Sequence, residues 1–86
     1  MCTMISHSTE IRGMAKGADG WFVMNRATVA FDHTTHSDEE HALLIDFTNY
    51  SIGTHARLAL ELDLESGRAL LGQLARAILQ AEASGL

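Results

Sequence analysis

The chain has 86 residues, one cysteine, no proline, and a formal net charge of −5 from eleven acidic and six basic side chains. That length is room for a single domain over residues 1–86, and one cysteine excludes an internal disulfide framework. A single lysine, Lys16, and five scattered arginines argue against a nucleic-acid partner, which would require clustered positive charge.

Aromatic residues make up 6% of the chain against 47% hydrophobic residues, so the core is expected to be aliphatic. A core this small is only marginally stabilising by itself, and homodimerisation is the expected way to enlarge it. No apolar run approaches the ~20 residues needed to cross a bilayer. Met1 to Glu10 is polar, without the basic start and apolar stretch of a signal peptide. A cytoplasmic protein with no membrane partner is the expectation.

In chain order, Thr3–Arg12 alternates with Ile5, His7 and Ile11 on one parity, and its β-branched content predicts a strand. Gly13–Gly20 reads as a turn or loop, with Asp19-Gly20 as a hairpin signal. Its three glycines superficially resemble a phosphate loop, but no Lys-Ser/Thr follows and a strand comes next, so that reading is rejected. Trp21–His33 is a second strand whose odd positions, Trp21, Val23, Ala27, Val29, Phe31 and His33, form the more apolar face. Thr34–Glu40 is a polar connection. His41–Thr48 is a third strand, with His41, Leu43, Ile45 and Phe47 on one face and Leu44 and Asp46 on the other.

Asn49–Thr54 reads as a turn, and His55–Leu62 as a fourth strand with Leu58, Leu60 and Leu62 alternating against Arg57, Ala59 and Glu61. The period then changes. From Gly67 the apolar residues Leu70, Leu71, Leu74, Ala77, Ile78 and Ala81 recur at helical spacing. Asp63 stands where an N-cap acceptor belongs, Glu65 lies in the first turn, and Gly85 is a terminator. Four strands followed by one helix predict an α+β fold: an antiparallel four-stranded meander with the helix packed on one face. The opposite face, with Leu44 and Met24, and the outer side of the helix, with Leu79, offer apolar surface to a second subunit.

The densest chemistry is Phe31-Asp32-His33-Thr34-Thr35-His36-Ser37-Asp38-Glu39-Glu40-His41, which holds three of the five histidines. Imidazole is the commonest transition-metal ligand. If the second and third strands pair as a hairpin, His33 and His41 share a side of the sheet with Cβ atoms ~5 Å apart. His36 would fold over as the third ligand. Asp32 or Glu40 would serve as a fourth ligand, a supporting hydrogen-bond partner or a general base. Zinc is the favoured divalent metal for such a set, with iron, nickel or copper as alternatives. The HxxHx4H spacing is a weak motif, so a solvated acidic connection, or metal-free acid–base use of His33 or His41, stays open beside it.

Other residues are read more plainly. Cys2 is a candidate soft ligand or nucleophile, although most lone cysteines are inert. His7 and His55 read as structural or edge histidines. Asp46, flanked by Ile45 and Phe47, needs a partner, and a salt bridge to Arg26 or Arg57 is favoured over a carboxylate pair with Asp32.

The opening Met1-Cys2-Thr3, the segment Ala15-Lys16-Gly17-Ala18-Asp19-Gly20-Trp21-Phe22, the pieces Phe31-Asp32-His33 and Glu40-His41, and Ile45-Asp46-Phe47 resemble a family of short actinobacterial proteins of unknown function. The resemblance covers nearly the whole chain. It implies an actinobacterial source, within specialised metabolism, and carries over no activity and no site.

Three functions compete at this point. The first is a small metal-binding protein, and if catalytic a metal-dependent enzyme acting on a small molecule in bacterial specialised metabolism, with His33, His36 and His41 as ligands. The second is a non-enzymatic dimeric binding or interaction module. The third is a metal-free acid–base enzyme with a small-molecule ligand in a pocket between sheet and helix.

Overall fold

A computed structural model describes residues 5–85. The expectations for Cys2, and for a first strand beginning at Thr3, lie outside the described residues. Four strands form one antiparallel sheet in chain order: β1 (Ile5–Gly17), β2 (Gly20–His33), β3 (His41–Thr48) and β4 (Arg57–Leu62). A 3₁₀ turn (Tyr50–Ile52) links β3 to β4, and α1 (Leu64–Ser84) ends the chain. This is the α+β meander-plus-helix that the change of period predicts.

The first strand runs further than expected. Gly13, Ala15 and Gly17 read as loop residues by composition, yet they pair with Met24, Phe22 and Gly20. Their smallness makes room for a neighbour. A Cβ at Gly17 would lie 3.2 Å from the Phe22 ring and 3.5 Å from the Arg57 carbonyl. A side chain there would press on the Phe22 ring, while the Arg57 carbonyl of β4 lies at ordinary contact distance, so glycine eases the packing of Phe22 against β1. The reversal itself is two residues, Ala18 and Asp19, and Gly20 completes it at φ 114°, a conformation that L side chains rarely adopt.

Between Glu10 and Gly13 the β1–β2 register slips by one residue. Such an irregularity bends a ladder and re-aims its side chains. Beyond it, Phe22 is only 7% exposed and packs with Ala15 and Ala56, joined by Met24 and Leu58. The odd residues Trp21 and Val23, expected on the apolar face, are instead 67% and 54% exposed. Strict alternation through Trp21–His33 thus fails at the bend.

The rest of β2 keeps its parity. Directly paired residues share a face of an antiparallel sheet. Val29 pairs with Ile45 and Ile45 with Leu60; Phe31 pairs with Leu43 and Leu43 with Leu62. These make an aliphatic face. The reverse face is polar, carrying Thr28, Asp46 and Glu61 between Leu44 and Ala59. On it Arg57 Nη2 donates to Asp46 Oδ1 at 3.0 Å, the ordinary salt bridge favoured for that carboxylate.

The helix starts as its sequence signals. Asp63 Oδ1 accepts from the Ser66 amide at 2.6 Å, and Gly85 closes the far end at φ 74° with its amide donating to the Glu82 carbonyl. Its contact with the sheet is on the aliphatic face, where a Cβ at Gly67 would overlap the Leu43 side chain. After that first turn α1 stands clear. None of its residues is buried, and Leu70, Leu71, Leu74, Ile78 and Leu79 are 49–66% exposed.

Candidate functional site

Two of the three expected histidine ligands meet. His33 and His41 are paired residues at the β2–β3 ends, and their ring centroids lie 4.4 Å apart. Phe31, two residues before His33 and on the same face, stacks against His41 at 5.8 Å. The antiparallel register puts both imidazoles on the aliphatic side of the sheet, where β-strand alternation requires them to be.

His36 does not join them. The 34–40 connection is drawn instead to Glu61, which pairs with Leu44 and so lies on the polar side. The Glu61 carboxylate accepts from the backbone amides of Thr35 (3.1 Å), His36 (3.0 Å) and Ser37 (2.8 Å), and from the Thr35 hydroxyl (2.9 Å). His36 Nδ1 sits 2.8 Å from the same hydroxyl and 3.6 Å from the carboxylate, with its ring exposed. Thr34 adds donations to the Ser37 and Glu39 carbonyls. Hydrogen bonds from the Thr35 backbone and hydroxyl, and from Ser37 and His36, hold Glu61 down from 4.5 to about 2. The loop is thus organised around a carboxylate acceptor on the polar side of the sheet rather than around the two imidazoles.

The expected carboxylates also lie elsewhere. Asp32 pairs with Ala42, which places it opposite in parity to His33, and its Oδ1 accepts from the His33 amide at 2.7 Å. Glu40 stands just before β3 and is exposed. Among the described residues, no three His, Cys, Asp or Glu side chains come close enough to share one ion. The physical reason is alternation: neighbours in sequence at a strand end point to opposite sides, so a dense run of ligands is divided by the sheet.

Asn49 is the polar residue whose importance the sequence concealed. It is buried, its Nδ2 donates to the Val23 carbonyl at 2.9 Å, and its Oδ1 accepts from Asn25 (3.2 Å) and Ser51 (2.5 Å). An asparagine after a strand and before Tyr-Ser-Ile-Gly signals a turn, and nothing in the local sequence marks it as a tie to β2. Glu61 gave an equally weak signal, being one polar residue in an alternating strand.

Fold and site together define a small α+β domain with an imidazole pair on one side of its sheet and a carboxylate-organised loop on the other. The whole chain, residues 1–86, matches a family of unknown function (DUF6295), and the chain belongs to that family. No curated protein and no solved structure matches it.

Proposed function

We propose that this domain is a non-enzymatic interaction module that works as a homodimer. The observation that supports this reading is the bare apolar stripe of α1, whose leucines and isoleucine are 49–66% exposed over a helix about 31 Å long. Patches of that size on a monomer usually mark an association surface. The sheet face on the same side, with Ile5 and Val29 also exposed, extends it. Sedimentation of the intact chain at micromolar concentration tests the reading: a species of twice 9.4 kDa is expected, and a folded monomer at all concentrations overturns it.

A second reading is favoured by the His33–His41 pair. Two imidazoles with centroids 4.4 Å apart supply two of the ligands of a divalent transition ion, zinc before iron, nickel or copper. His36, Asp32 and Glu40 would not complete the set in the observed arrangement, so the remaining positions would go to water or a bound molecule. Titration calorimetry with zinc is the test. Uptake approaching one equivalent, abolished by His33→Ala, supports a metal site; less than a few tenths of an equivalent, unchanged by that substitution, removes it.

A further inference from the structure

The area left open by the fold is large enough to be assessed. A compact monomer of 9.4 kDa exposes about 5,000 Å². This chain exposes 6760 Å², an excess of about 1,750 Å². If each of two copies covered that excess, about 3,500 Å² would be buried in total, inside the range of ~2,000–5,000 Å² found for obligate homodimers. A second copy is an occupant of the right size.

The stripe also carries orientation. Written as a seven-residue repeat, its central positions are Leu64, Leu71 and Ile78 with Gly67, Leu74 and Ala81. One flank carries Arg68, Ala75 and Glu82, and the other carries Leu70, Ala77 and Ser84. Among the described residues, neither Arg68 nor Glu82 forms an ion pair within the chain. In a parallel helix pair, opposite flanks meet five residues apart: Arg68 would come to the partner's Asp63, whose carboxylate already caps its own helix through the Ser66 amide, and Glu82 would face Ala77 and be left without a cation. In an antiparallel pair each flank meets itself, reversed. Arg68 then faces the partner's Glu82, Glu82 faces the partner's Arg68, and the small Ala75 meets its own copy at the two-fold axis.

From these observations we infer that a second copy of this chain covers α1, with the two α1 helices packed antiparallel about Ala75 and joined at both ends by Arg68–Glu82 pairs. The inference rests on the homodimeric reading above and deepens it. Gly67 remains against Leu43 of its own sheet, so the partner's helix lies along Leu71–Ala81 and its C-terminal turn comes beside Arg68. The antiparallel arrangement also opposes the two helix dipoles side by side, each N-terminus beside the partner's C-terminus, which is the favourable sense.

Charge exchange and cysteine cross-linking test it together. Arg68→Glu and Glu82→Arg are each expected to weaken the dimer about tenfold, and the double exchange to recover most of that loss. In a Cys2→Ser background, Ala75→Cys is expected to form a disulfide-linked dimer on mild oxidation while Leu71→Cys is not, because antiparallel packing sets the two copies of residue 71 about 12 Å apart along the axis. A dimer in which the double exchange recovers nothing and Leu71→Cys cross-links as readily as Ala75→Cys overturns the antiparallel arrangement while leaving the dimer standing. A folded wild-type monomer overturns both.

Discussion

Glu61 accepts four hydrogen bonds from three consecutive residues of the 34–40 loop, and this fixes how that loop responds to pH. Its folded value of about 2 lies below its ordinary 4.5, so the stabilising contribution is complete above 4.5 and is lost as pH falls towards 2. Amide shifts of Thr35, His36 and Ser37 are expected to titrate together with a midpoint near 2; a midpoint at 4.5 would mean that the carboxylate does not hold the loop. Glu61→Gln is expected to accelerate amide exchange at the same three residues at neutral pH. Asn49 acts at the same scale. Asn49→Ala removes the buried amide that donates to the Val23 carbonyl and accepts from Asn25, and should cost about 1–3 kcal/mol in urea unfolding. Neither residue was legible as a site, since each role depends on groups more than twenty positions away.

At the scale of elements, local signals were legible wherever the chain itself supplies the partner. Asp63 caps α1 through Ser66, three residues on, so Asp63→Ala is expected to lower helical circular dichroism and the melting temperature together. The glycines divide by surroundings. Gly72 has open space where a Cβ would go, and Gly72→Ala should stabilise the chain by about 0.5–1 kcal/mol through helix propensity. At Gly67 a Cβ would overlap the Leu43 side chain, so Gly67→Phe is expected to lift α1 from β3 and lower thermal stability instead. Composition misled most in Gly13–Gly17. Glycines and alanines there suggested a loop, whereas they serve as the thin side of a ladder that receives Phe22.

For the molecule as a whole, apolar surface was expected on the sheet face with Leu44 and Met24 and on the outer side of the helix with Leu79, and the widest open apolar surface lies along α1. The polar reverse face, with Asp46, Arg57 and Glu61, gives Leu44 and Met24 little to offer a partner, and Met24 is packed against the Phe22 cluster. The α1 stripe is the larger open surface. Leu74→Asp should therefore weaken self-association about a hundredfold while the far-ultraviolet spectrum keeps its β contribution. If Leu44→Asp dissociates the protein and Leu74→Asp does not, the interface lies on the other side of the sheet.

Hydrophobic period, capping residues and turn chemistry act over a few positions, so the amino-acid order alone specified four strands, one helix, their succession and the facing of His33 and His41. Sidedness beyond the hairpin end was decided only by the folded chain. His36 could have lain over either face, and the choice fell to Glu61, whose carboxylate offers the loop amides a stronger acceptor than two imidazoles on the opposite side. The exposure of α1 was likewise invisible in its sequence, because an amphipathic stripe has the same pattern whether its own sheet or a second chain covers it.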